Sequence, residues 1–137
     1  MAAAFGEPFI RQAGGVNTDR FGLSQACFKL PKTNDIMLVG GKPSAGDSVE
    51  VWNSRFGFWD VLEERPVPVE NVWYPASAVD EENGFAYVIG GDSLEGQTDS
   101  VLRWDGENWT ELLAALPYPM MSVKATPLPR GDLFQCD

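Results

Sequence analysis

Short apolar runs alternate with polar, turn-forming stretches along the chain, and apolar residues at helical spacing are scarce. Two runs stand out, Ile36-Met37-Leu38-Val39 and Phe85-Ala86-Tyr87-Val88-Ile89. Each leads into a glycine pair, Gly40-Gly41 and Gly90-Gly91. Neither run alternates polar with apolar, so each reads as a strand buried on both faces, which requires sheets stacked on sheets. The stretches LPKTND, KPSAGD, NSRFG, DEENG, DSLEGQTD and DGEN are rich in Gly, Asn, Asp, Ser and Pro, the residues that close tight connections. The pattern predicts four strands, A to D, twice over. Strand A covers Ser24 to Leu30 and then Ser77 to Asp80, and strand B is the apolar run. Strand C covers Ser48 to Trp52 and Ser100 to Trp104, and strand D covers Phe58 to Leu62 and Trp109 to Leu113.

The doubling is an internal repeat. Asp47-Ser48-Val49 and Trp52 recur fifty-two residues later as Asp99-Ser100-Val101 and Trp104, while Gly40-Gly41 and Trp59 recur after fifty as Gly90-Gly91 and Trp109. Glycines at the end of strand B let the backbone turn sharply and approach a neighbour where a side chain would clash. The tryptophans of strands C and D, each burying roughly 150–250 Å², would fill the wedge between adjacent sheets. One such sheet cannot bury its apolar face alone and needs another beside it.

A diglycine after an apolar strand, followed by an aromatic, six residues and a Trp, resembles the kelch repeat. Gly40-Gly41, Trp52 and Trp59 fit it, with Trp52 where the family usually has Tyr; Gly90-Gly91, Trp104 and Trp109 fit with the second spacer cut to four residues. Arg20-Phe21-Gly22-Leu23-Ser24 is similar to the basic-aromatic-glycine lead into a kelch strand A. The resemblance spans residues 20–137 and implies an all-β fold of β-propeller blades, each a four-stranded antiparallel sheet. The chain then divides into an N-terminal segment (1–19), blade 1 (20–66), blade 2 (67–117) and the first two strands of blade 3 (118–137). In that third blade Ser122 to Thr126 reads as strand A and Asp132 to Cys136 as strand B. Pro8 to Gln12 reads as a strand D of a preceding blade. About two and a half blades cannot close a ring and would leave open edges. The favoured expectation is a piece of a longer propeller whose remaining blades close the ring. The alternative is self-association, in which a neighbour's N-terminus supplies strands C and D; MAAAF is a poor strand C.

Charge and composition narrow the function. The chain has 137 residues, 44% of them hydrophobic, enough for one packed domain. Twenty acidic residues against ten scattered basic ones give a net charge of −10, which argues against nucleic acid and against an anionic membrane surface. No apolar run is long enough for a membrane span or a signal peptide, which favours the cytoplasm over secretion. Cys27 and Cys136 form no CxxC; burial as two apolar side chains is favoured over a disulfide. Asn108-Trp109-Thr110 is a glycosylation sequon, a weak three-residue match.

No histidine occurs, so Ser-His-Asp and Cys-His arrangements are excluded and the commonest transition-metal ligand is missing. Some kelch propellers are copper oxidases, but such a copper site draws on histidines. No catalytic residue, metal or cofactor is therefore expected. Asp80-Glu81-Glu82-Asn83-Gly84 reads as a solvated hairpin turn, Glu63-Glu64 as a solvated loop, and the recurring Asp47 and Asp99 as turn caps. GGKPSAGD has neither a following helix nor Lys-Ser/Thr, so a phosphate loop is a weak reading. Trp73 stands outside the repeat, in the long connection from Glu63 to Tyr74, where it either packs under its own loop or anchors a partner. In an antiparallel meander the B–C and D–A connections emerge on one side. The long polar ones there carry Lys42, Ser44, Asp47, Asp92, Ser93, Glu95, Arg65, Glu70 and Trp73. The resemblance implies the same side, since kelch propellers of the substrate-adaptor type contact peptide partners through these loops. The expectation is a non-enzymatic scaffold that binds a basic or neutral protein there. A site in blades beyond this segment, or a structural role in a larger assembly, is the alternative.

Overall fold

A computed structural model of the chain describes residues 2–6, 9–13, 16–17, 25–42, 48–62, 67–68 and 72–128. Every element among them is a β-strand. The first round of the repeat forms β3 (Ala26–Lys29), β4 (Ile36–Val39), β5 (Val49–Asn53) and β6 (Phe58–Val61), hydrogen-bonded in the order β3-β4-β5-β6. The second forms β7 (Ala76–Asp80), β8 (Phe85–Ile89), β11 (Val101–Trp104) and β12 (Trp109–Glu111), in the order β7-β8-β11-β12. Both are antiparallel meanders in the predicted A to D order, with strand ends within about two residues of the prediction, the usual slack in boundaries. Registers agree as well: Trp52 pairs with Trp59 and Trp104 with Trp109. The ring centroids of these pairs stand 5.8 and 5.3 Å apart.

The core lies between the two sheets. Ala26, Phe28, Met37, Val39 and Val49 of the first sheet pack with Ala86, Val88, Leu102 and Trp104 of the second, together with Val67 and Val72 of the connection. Strand alternation turns Ile36 and Leu38 to the opposite face, where Trp59 is buried with them and Val16 and Trp52 pack alongside. β4 is therefore buried on both faces, as its unbroken apolar run predicts. β8 is not: Ala86 and Val88 are buried, but Phe85, Tyr87 and Ile89 are half-buried, because no described sheet covers that side.

Other expectations need correction. Cys27 is exposed, since Ala26 and Phe28 take the core face of β3 and alternation turns Cys27 out; Cys136 lies outside the described residues. Ala2–Gly6 is a strand, β1, despite its weak composition, and it pairs with β2 (Phe9–Ala13) as a separate hairpin. Residues 122–128 form no strand, and the expected strand B at Asp132 to Cys136, with which they would pair, lies outside the described residues. The junction leading there does repeat. Gly41 N–H donates to Val72 O and Gly91 N–H to Met120 O, both at 2.9 Å, and Tyr74 and Ser122 adopt φ of 52° and 54°. Asp99 makes no side-chain cap among the described residues. Thr98 does so instead, its Oγ1 accepting from Ser100 N–H at 3.1 Å. Asp47 lies outside the described residues.

Candidate functional site

Three connections converge at one end of the sheets. The connection after β4 places Lys42, the long link between sheets brings in Trp73 and Tyr74, and the connection after β8 starts at Asp92. Trp73 and Asp92 form an isolated antiparallel bridge, with Trp73 N–H donating to Asp92 O at 2.9 Å and Asp92 N–H to Trp73 O at 2.6 Å. The ammonium of Lys42 lies over the Trp73 ring, 4.3 Å from its centroid, and 5.6 Å from that of Tyr74. At these distances the cation is held by the ring quadrupoles. Trp73 is half-buried, and its indole N–H is enclosed with no acceptor among the described residues.

The connection after β8 is a small hairpin rather than an irregular loop. β9 (Asp92–Ser93) pairs with β10 (Gly96–Gln97) across a two-residue turn, Leu94-Glu95. Ser93 Oγ donates to Gly96 O at 3.0 Å and accepts from Glu95 N–H at 3.2 Å, which fixes the tip. Lys42, Trp73 and Asp92 are thus brought together, with Ser93 and Glu95 on the adjoining hairpin. Ser44, Asp47, Arg65 and Glu70 lie outside the described residues.

The sequence reading missed an apolar component of this end. Leu94 at the hairpin tip is 76% exposed, and Leu113, Tyr118 and Met121 of the connection leaving β12 are exposed as well. In the sequence, a leucine inside the polar stretch DSLEGQTD signals this component. These four side chains fall in the connections at this end and leave large apolar groups in water there.

Elsewhere the chemistry is sparse. No group of three or more potential metal ligands occurs among the described residues, and no described helix is long and apolar enough to cross a membrane. A cavity of about 460 Å³ runs along β3, β7 and residues 122–126, lined in part by Cys27, Ser77, Lys124 and Thr126. Although the Cys27 residue is exposed, partial desolvation raises its thiol above the ordinary value, the direction opposite to nucleophile activation. Glu50 is wholly buried and accepts from Asn17 N–H at 2.6 Å. The Asp80 to Gly84 stretch is a mostly exposed turn, as read from its composition. No protein-family model and no curated protein matches the chain.

Proposed function

We propose that the chain is a segment of a kelch-type β-propeller that binds a partner protein, without catalysis, through its B–C and D–A connections. The observation that carries this reading is the convergence of three connections at Lys42, Trp73 and Asp92, beside the exposed Leu94. Backbone pairing makes that end rigid, and it mixes aromatic, aliphatic and charged groups in the way hot spots do. Asp92, Glu95 and Asp99 outnumber Lys42 among the described charges there, so a basic or neutral partner fits better than an acidic one.

The test is quantitative affinity capture with wild type and with a triple variant, Lys42→Ala, Trp73→Phe and Asp92→Asn, whose circular dichroism matches wild type. Loss of a specific captured protein supports the reading, and recovery of the same proteins at the same yield overturns it. Leu94→Ser, at an exposed tip, gives a second variant that cannot disturb the core. A second reading, a small polar ligand in the cavity along β3 and β7, rests on the hydroxyl and ammonium groups lining it. Thermal-shift screening with small polar metabolites separates the two.

A further inference from the structure

The opposite end of the sheets, where the short turns lie, holds a cleft of about 330 Å³ between the first sheet and the second. Leu30, Val51, Leu62 and Trp104 form its apolar wall, and Asp35 and Asp60 bring carboxylates to it. Asp60 is exposed and its carboxylate has no hydrogen bond or ion pair within the described residues, while one oxygen of Asp35 accepts from Ser54 N–H and Oγ–H at 2.9 and 2.8 Å. Phe58 precedes Asp60 on the same face of β6 and is 51% exposed; Phe56 is 65% exposed and stacks on it at 6.2 Å.

The repeat itself serves as a control on which of these features the fold needs. By register, Phe58, Asp60, Asp35 and Val51 correspond to Asn108, Thr110, Phe85 and Arg103 in the second sheet. The stretch between the paired tryptophans is two residues shorter in the second sheet and has no aromatic residue. The exposed phenylalanine pair and both carboxylates therefore belong to the first sheet alone, and the four-stranded sheet forms without them. The second sheet shows what occupies the corresponding place: Arg103, with its guanidinium 4.5 Å from the Phe85 centroid. On the first sheet Val51 is too short to fill that space, and an acid replaces the ring.

From this we propose that the cleft docks an arginine side chain flanked by an apolar residue, presented by a partner protein. A planar guanidinium can lie against the indole edge of Trp104 and meet Asp60 bidentately, which an ammonium cannot do. The neighbouring residue then covers Phe56 and Phe58, whose exposure nothing else in the described residues relieves. Lys29, Lys32 and Arg55 are the nearby cations, and the Lys29 ammonium is held by the carbonyl oxygens of Leu30 and Thr33 and stands 3.9 Å from a Glu81 oxygen. The Lys32 ammonium acts on Asp80 through its charge, while Glu81 accepts from the Lys32 backbone N–H at 2.7 Å, and Arg55 lies over Phe56 at 5.3 Å, outside the cleft. The surface is separate from the end with Lys42 and Trp73, so either site can fail without the other.

The experiment is a heteronuclear NMR titration of the full chain with the blocked peptide Ac-Leu-Arg-Phe-Gly-NH2. Its counterpart carries citrulline, which keeps the shape of arginine without the charge. Saturable shifts are expected at Thr33, Asp60, Gly84, Gly106 and the Trp104 indole N–H, with the citrulline peptide about tenfold weaker. Asp60→Asn should weaken the arginine peptide about fivefold, leave the citrulline peptide unchanged and reduce salt dependence. Three results overturn the proposal: no saturable shift at these residues up to about 10 mM peptide, equal affinity for both peptides, or shifts confined to the end that carries Lys42 and Trp73.

Discussion

Gly40 and Gly90 hold corresponding posts in the two sheets, and the reason is steric as well as conformational. Both have positive φ, 67° and 63°. A Cβ on Gly40 would run into the carbonyl oxygen of Val72, and one on Gly90 would stand 2.5 Å from that of Met120. Gly96 also has positive φ, 114°, but a Cβ there would meet nothing within 4 Å. Gly96→Ala should therefore cost about 1–2 kcal/mol from backbone strain alone. Gly40→Ala should cost clearly more, because the Val72 backbone must also move. Urea unfolding of the two variants checks this, and equal midpoints would show that the close approach carries no energy. Cys27 gives a second prediction at this scale. The residue is exposed, yet partial desolvation of its thiol raises the pKa, so the unreactive protonated form persists further into alkaline solution. Iodoacetamide should alkylate it more slowly than glutathione at pH 8, and the gap should narrow as pH rises.

Among elements, the turns that close the hairpins carry their own acid sensitivity. The carboxylate of Asp80 accepts from the side-chain amide and backbone N–H of Asn83 at 2.7 and 3.1 Å, and that of Asp105 accepts from the backbone N–H groups of Asn108 and Glu107 at 2.7 and 2.8 Å. These bonds hold both groups below the ordinary aspartate value. A folded-state pKa below the unfolded one stabilises the fold above the unfolded value. That contribution is lost as pH falls from the ordinary aspartate range through the lowered one. Asp80→Asn with Asp105→Asn should flatten stability against pH in that acid window, as read by denaturation at successive pH values. The same elements show what a sequence can reveal. Diglycines, tryptophans and turn residues report local constraints that repeat, so eight strands and their pairing were readable from them. The hairpin of β1 and β2 was not, since Ala-rich chain has little strand propensity. Nor was the hairpin of β9 and β10, whose polar composition looks like any loop. At the candidate site, Lys42, Trp73 and Asp92 were legible as members of connections on one side. Their contact was not, because it depends on a bridge between segments nineteen residues apart.

At the scale of the molecule, one core serves both sheets, and this makes them a single cooperative unit. Met37 and Val39 of the first sheet are buried in a cluster that Ala86, Val88, Leu102 and Trp104 of the second complete. A fully buried side chain of this kind contributes about 1.5–3 kcal/mol, a large part of the stability of a small domain. Trp104 is 3% exposed, whereas Trp52, its counterpart, is half-buried on the outer face of the first sheet. Trp104→Ala should therefore cost about 3–5 kcal/mol and Trp52→Ala distinctly less. Trp104→Ala should also reach across the interface. Hydrogen exchange at the amides of Met37 and Val39 should accelerate by the same factor as at Ala86 and Val88, because opening one sheet strips the other of its buried face. If the amides of β4 keep wild-type protection while those of β8 lose theirs, the first sheet is stable alone, and the shared core is a contact between independent units.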